Sequence, residues 1–290
     1  MSQTEQSTTE AASTQVGTIG KLLLDSGRLT AEQAEKVAKR QQEKRIRFGE
    51  AAIELGYIKP EDIQYALSRQ FSYAYLQPGD GLVSDAIVAA YYPFSAYVEK
   101  LRSLRSELNQ RWFRQEQKSL LLVSDEDGNG CTELAANLAV VFAQLGQRTL
   151  LIDADLREGR QHLLFKIANK QGLSDLLADR ADVSCIHHIH RLPGLSVLTS
   201  GTEAPNPQEL LSRPQFKLLL EELELQFDVI IIDSPALAEC VDAQVIAAST
   251  KGALLVAHKD LTSVSGLNNA KALLINADAQ VLGCVLNEVE

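Results

Sequence analysis

The chain has 290 residues, 45% of them hydrophobic and 23% charged, with a formal net charge of -10 at pH 7. That length accommodates one large and one small domain with ordinary cores. The acidic balance argues against nucleic acid as a partner, because affinity for a phosphate backbone needs clustered Lys and Arg. No run of about 18 consecutive apolar residues is present, so no direct membrane insertion is expected and the location is read as cytoplasmic. The cysteines Cys131, Cys185, Cys240 and Cys284 are scattered without a CxxC pair, which favours reduced thiols over a disulfide framework or a zinc site.

Residues 1–15 are rich in Ser, Thr and Gln and read as a disordered leader. Residues 16–75 then repeat themselves: Gly20 aligns with Gly49, Gly27 with Gly56 and Gln41 with Gln70, each pair 29 positions apart. Each copy carries a glycine-spaced apolar stretch followed by a helix ending in Arg-Gln. In the first copy Thr30 and Gln33 form a capping box with Val37 on the buried side. In the second, Pro60 sits in the first helical turn, and Ile63 and Leu67 supply the apolar stripe. The duplicated helical module resembles the N-terminal domain of type II secretion and pilus ATPases, some of which bind cyclic di-GMP. That resemblance makes Gly20, Gln41, Arg47, Gly49 and Gln70 the candidate cyclic di-GMP contacts. The second copy reads Arg47-Phe48-Gly49 and the first Thr18-Ile19-Gly20, so a phosphate-clamping arginine is present in one copy only.

Residues 76–118 read as a linker and an oligomerisation helix. Pro78, Gly79, Gly81 and Pro93 break the chain, and the spacing predicts a helix over 95–112. Glu99, Arg102 and Arg105 fall at intervals of three on one helix face. Such spacing serves either local charge pairing or a contact with a neighbouring subunit.

From residue 119 onward, apolar runs at 119–124, 149–152, 195–198, 228–232, 253–257 and 281–286 alternate with helical patterns. Continuous apolar strands separated by helices predict a mostly parallel sheet covered on both faces, with ligands at the strand C-termini. The first strand runs into a glycine-containing turn, Gly128-Asn129-Gly130-Cys131-Thr132, and then a helix. The second ends in Asp153-Ala154-Asp155-Leu156-Arg157, and a later one in Asp233-Ser234-Pro235. Carboxylates at these ends suit magnesium and phosphoryl transfer: Asp233 and the Thr132 hydroxyl as metal ligands, Asp153 and Asp155 orienting the metal or accepting a hydroxyl proton. The cluster His187-His188-x-His190 has no spacing that closes a metal site unaided and reads as a solvated surface.

These strand ends, together with Gly172-Leu173-Ser174-Asp175-Leu176-Leu177, Pro205-Asn206-Pro207-x-Glu209-Leu210-Leu211 and 227–235, resemble the bacterial tyrosine kinases of capsule and exopolysaccharide synthesis over residues 95–290. The resemblance implies a P-loop NTPase-like α/β fold of the MinD and bacterial tyrosine kinase type over 119–290. It also implies phosphate contacts from Gly128, Gly130, residue 131, Thr132 and Arg157, and ATP with magnesium as the cofactors. The Glu99-x-x-Arg102-x-x-Arg105 pattern resembles that family's subunit-contact motif, which implies a homo-oligomer. With the duplicated module added, the whole chain resembles the branch of chain-length-determinant tyrosine kinases, whose members act with a membrane-anchored polysaccharide co-polymerase.

Two departures stand out. A working loop of that family reads roughly Gly-x-Gly-Lys-Ser/Thr, and Cys131 occupies the lysine position, with Asp125, Glu126 and Asp127 crowding the loop. The residues up to Glu290 also lack the family's C-terminal tyrosine cluster. Weak ATP binding and impaired catalysis are therefore expected, with Cys131 as a space-filling residue. The leading expectation is a kinase-like regulator of exopolysaccharide polymerisation and chain length. The alternatives are an active ATP-dependent protein tyrosine kinase that meets the phosphates with Arg157, and a spatial organiser of the MinD and ParA kind.

Overall fold

The computed structural model describes residues 18–60, 62–63, 66–67 and 74–288, in two compact units divided between residues 74 and 75. The leader assigned to residues 1–15, and Gln70, lie outside the described residues.

The first unit contains α1 (Thr18–Asp25), α2 (Ala31–Lys44) and α3 (Phe48–Glu54). Its duplication is written in the backbone. Gly27 and Gly56 both adopt positive φ, 70° and 69°, ending α1 and α3 in the left-handed conformation that glycine takes without steric cost. The same bonds follow at the same offset: Arg28 N–H donates to Leu23 O at 2.9 Å and Tyr57 N–H to Ala52 O at 3.1 Å. Entry to the next helix is also shared, since Thr30 N–H donates to Gln33 Oε1 at 2.9 Å and Lys59 N–H to Asp62 Oδ2 at 2.8 Å. Thr30 Oγ1 completes the capping box by accepting from Gln33 N–H. Leu23, Leu29, Val37, Ala52 and Ile58 form the common core, and an Arg28–Asp62 ion pair ties one copy to the other.

The second unit is a seven-stranded sheet flanked by helices. Its strands are β1 (Ser119–Ser124), β2 (Thr149–Asp153), β3 (His187–His188), β4 (Leu195–Leu198), β5 (Val229–Asp233), β6 (Gly252–His258) and β7 (Gln280–Asn287), in spatial order β3-β4-β2-β5-β1-β6-β7. All pairs are parallel except β3 with β4. Both faces are apolar, as a covered parallel sheet requires: Leu120 and Leu122 enter one core, Leu121 and Val123 the other. The α/β class and mostly parallel sheet expected from the apolar runs are what the structure contains.

The segment before β1 corrects the linker reading. It holds α4 (Val88–Tyr91) and α5 (Ala96–Arg111), and Leu76, Val83, Ile87, Tyr91, Val98, Leu101, Leu108 and Trp112 belong to the core that also contains Leu120 and Leu122. Polar staples fix it to α6 (Cys131–Gln144): Asn137 Oδ1 accepts from Ala89 N–H at 2.9 Å, and Asn137 Nδ2 donates to Ala86 O at 2.9 Å. Pro78, Gly79 and Gly81 mark turns in a packed strap, not a free connector. Helix α5 begins at its Ser95 cap and ends at Trp112, whose Nε1 donates to Ser119 O at 2.9 Å.

On the far face, α8 (Leu173–Leu177) is organised by a buried carboxylate, with α7 assigned to the short helix Gln161–Leu164. Asp175 Oδ2 accepts from Gly172 N–H at 3.1 Å and Thr202 N–H at 2.9 Å, and Oδ1 lies 3.2 Å from Arg180. Burial alone would raise its pKa, but the Thr202 and Gly172 bonds and the Arg180 charge hold it below the usual 3.8. A carboxyl depressed in the folded state adds stability above the unfolded value and loses it as pH falls through the folded one. Asp175→Ala should therefore cost about 1–3 kcal/mol at pH 7, with the deficit shrinking below about pH 4. Urea unfolding followed by the fluorescence of Trp112, the single tryptophan, checks it.

Candidate functional site

The loop between β1 and α6 carries the glycines in the conformation their positions demand. Gly128 and Gly130 have φ of 79° and 76°, and Gly130 caps α6 in the left-handed region. Asn129, buried between them, is a hub. Its Nδ2 donates to Glu126 O at 3.0 Å, its Oδ1 accepts from Thr262 Oγ1 at 3.2 Å, and its carbonyl accepts from Asn287 Nδ2 at 3.2 Å. A Cβ on Gly130 would collide with that Asn287 amide, so the end of β7 seats directly on the loop.

Strand register brings the carboxylates together. Asp153 and Asp233 are paired positions at the ends of β2 and β5, both buried, and Ala154 N–H donates to Asp233 O at 2.8 Å. Gln161, fully buried at the start of α7, braces them. Its backbone N–H donates to Asp153 Oδ2 at 2.9 Å, and its Nε2 reaches Asp233 Oδ2 at 2.8 Å and Thr132 O at 3.0 Å. Burial, opposed by the Gln161 amide and the nearby Thr132 hydroxyl, lifts Asp233 to about 7, and burial together with the Asp233 charge raises Asp153 well above its ordinary value. Asp155 sits at the rim, its Oδ1 accepting from Arg157 N–H at 3.0 Å and Glu158 N–H at 2.9 Å.

The loop and the strand ends enclose a cavity of about 300 Å³. Six carboxylates line it, those of Asp127, Glu133, Asp155, Glu158, Asp233 and Glu239, against one described cation, Arg160. Asp233 Oδ1 and Gln161 Oε1 are buried without a hydrogen-bond partner. Asp233 and Thr132 both line the cavity, although among the described residues no group of three or more His, Cys, Asp or Glu is placed to hold a metal ion, and an unaccompanied polyphosphate meets net negative charge there.

Comparison with known proteins agrees with this geometry. A family model described as an AAA domain matches residues 118–277. The putative tyrosine-protein kinase CapB of Staphylococcus aureus is 39% identical over 197 residues, which cover 68% of this chain and 86% of CapB. The chain belongs to the bacterial tyrosine-kinase family. The tyrosine-protein kinase Etk of Escherichia coli is 34% identical over 197 residues, a match that spans only 27% of Etk. Among solved structures, the Etk kinase domain aligns with TM-score 0.68 at 34% identity, covering 70% of this chain and 80% of that one. The CapA2B2 chimera aligns at 0.66 with 30% identity, covering 77% and 97%. The cell-division ATPase MinD of Pyrococcus furiosus, at TM-score 0.52 and 28% identity over 59% of this chain and 72% of its own, shares the P-loop NTPase-like architecture.

In this tyrosine-kinase relative, Gly128, Gly130, Cys131, Thr132, Asp155 and Asp233 gather around one cavity, with Asp153 buried directly behind it. Arg157 does not join them. Its guanidinium turns to the buried Asp242, 3.2 Å away, and Arg160 is the arginine on the cavity wall. Arg160, Gln161, Glu239 and Asn287 were missed because none belongs to a motif; the sequence cues were the nearness of Arg160 and Gln161 to the Asp153–Arg157 motif, of Glu239 to Asp233-Ser234-Pro235, and of Asn287 to the end of the 281–286 run. On α5, Arg102 pairs with Glu99 and lies 5.9 Å from the Phe94 ring, while Arg105 Nη1 donates to Val141 O at 2.7 Å. Both arginines thus take part in packing within the chain. In the first unit Gly20 and Gly49 are buried, Gln41 is half-buried and Arg47 exposed; a Cβ on Gly49 would collide with Ile63. At the β3 edge, His188 Nδ1 bonds Ser196 Oγ at 2.8 Å.

Cys131 is buried at the first position of α6, and burial first, then the adjacent Asp233, push its thiol well above its ordinary value. Both effects favour the protonated thiol, a poor nucleophile. Iodoacetamide at neutral pH should label exposed Cys284 in the folded protein and reach Cys131 only after denaturation. Peptide mass spectrometry reads the order, and equal labelling of the two would contradict it.

Proposed function

We propose that this chain is a cytoplasmic regulator of exopolysaccharide polymerisation and chain length, a tyrosine-kinase-like scaffold that works with a membrane-anchored polysaccharide co-polymerase and is impaired in phosphoryl transfer. The observation that carries the reading is the loop: an uncharged, buried thiol at 131 where the kinase resemblance places lysine, in a cavity walled by six carboxylates. Phosphoryl transfer depends on positive charge at the β- and γ-phosphates, so this wall opposes the charge that develops in the reaction. Support for the pathway comes from the kinase family and from the chain-length-determinant pattern of the whole sequence. The exposed part of α5 around Glu99 is assigned to contact between copies, and the duplicated N-terminal module to cyclic di-GMP.

A second reading, in which the cavity still takes a magnesium-bound nucleotide, is favoured by the unpartnered Asp233 Oδ1. Bound magnesium would offset the carboxylates and share charge with phosphate oxygens. Asp233 and Thr132 would hold it, Asp153 would keep Asp233 in place from the next strand, and Asp155 would accept a proton at the rim.

The purified full chain, incubated with Mg-ATP and a cytoplasmic segment of the co-polymerase, should incorporate no more phosphotyrosine than its Asp153→Asn/Asp155→Asn variant. Transfer that disappears with those two carboxylates would overturn the impaired-kinase reading and establish an active kinase.

A further inference from the structure

The cavity holds one described cation, and its placement is specific. Arg160 enters the loop region from the β2 side, as the residue that caps α7 and directly precedes Gln161. Its backbone is fixed on both sides. A Cβ on the preceding Gly159 would meet Asp155 O at 2.7 Å, and the following Gln161 is bonded to Asp153, Asp233 and Thr132. The side chain itself is half exposed, 52%, and its guanidinium lies 3.6 Å from Asp127 of the glycine loop, itself 63% exposed. An ion pair that long and that solvated is worth little and is readily exchanged. A bidentate guanidinium–phosphate contact is shorter and charge-assisted.

We propose that Arg160 supplies the positive charge that meets the phosphates of a nucleotide in this cavity, replacing the lysine absent from position 131. The inference rests on the reading of the cavity as a nucleotide-phosphate site. The fully buried, unpartnered Asp233 Oδ1 in the cavity wall marks a place for a cation-bearing ligand independently of the glycine loop. Arg157, the sequence-based choice for this task, is committed to Asp242. In the resting molecule Asp127 holds Arg160 across the loop; phosphate takes its place when the nucleotide enters. Reach also favours the exchange, because a guanidinium on a rigid backbone and a mobile stem can move by several ångströms without disturbing Gln161.

The test is calorimetric titration of the full chain with Mg-ATP at low salt, with melting temperature as the control for folding. The wild-type chain should bind, and Arg160→Ala should weaken binding about tenfold to a hundredfold. Arg160→Lys should recover part of the loss, which a merely structural role for the residue would not produce. Adding Cys131→Lys to Arg160→Ala should restore affinity by putting a charge back on the loop. Arg160→Ala binding as tightly as wild type overturns the proposal. If wild type fails to bind but Cys131→Lys binds, Arg160 is not the surrogate while the cavity remains a nucleotide site. If neither binds, the proposal and the nucleotide reading of the cavity both fall.

Discussion

The arrangement depends on one constraint: two carboxylates, Asp153 and Asp233, are buried side by side at the ends of adjacent strands. Two unscreened negative charges that close and that dry cannot both persist in a folded protein without compensation. The sheet places them there because the parallel pairing of β2 and β5 sets Asp153 directly beside Asp233. Compensation comes from Gln161, a neutral side chain whose amide donates to Asp233 and to the Thr132 carbonyl while its backbone serves Asp153. One glutamine therefore joins the phosphate loop, both strand ends and the short helix α7. What it leaves open is Asp233 Oδ1, a buried atom without a hydrogen-bond partner on a residue that lines the cavity.

That constraint also bears on Cys131. A lysine at the head of α6 would stand beside this pair and favour its ionised form; a thiol does not. With Cys131 present, burial lifts the Asp233 carboxyl to about 7, and burial together with the Asp233 charge pushes the thiol up. The substitution is comfortable for the fold because a small, weakly polar residue fills a buried position without adding charge. It is uncomfortable for a polyphosphate for the same reason. Around the rim the effect continues: Glu239 is raised by burial and by the charges of Asp127, Asp155 and Glu158, with Arg160 alone pulling the other way.

The elements that the sequence disclosed were those written by short-range rules. Apolar runs marked six of the seven strands, Ser95 and Thr30 marked helix starts, and the 29-residue repeat reappears as matched glycine turns and matched caps. The two-residue β3 carries too little pattern to be seen. Residues 76–118 misled because Pro and Gly announce turns whether or not the turns are packed, and Val83 and Tyr91 are buried in the same core as residues of α6, with the Tyr91 hydroxyl bonded to the Val83 backbone. At the site, charged motif residues were legible and the others were not. Gln161 is uncharged and lies outside every motif, although it donates three hydrogen bonds within the site, to Asp153, Asp233 and Thr132. Arg157 and Arg160 are three positions apart, and nothing in their spacing tells which one faces the cavity; the buried Asp242, far along the chain, settles it by claiming Arg157.

The acidic lining of the cavity bears differently on binding and on phosphoryl transfer. Charge at a reaction centre matters most in the transition state, when negative charge moves onto bridging and equatorial oxygens, and a fixed cation from the loop helps because it needs no reorganisation at that moment. Arg160 on a mobile stem has to leave Asp127 before it can assist, so its contribution falls on binding, where the exchange is completed before chemistry begins. The same geometry links occupancy to the loop. Asp127 loses its partner when Arg160 turns inward, and Asn129 transmits loop position to Thr262 after β6 and to Asn287 at the end of β7. The position of the loop is thereby tied to the C-terminal ends of β6 and β7.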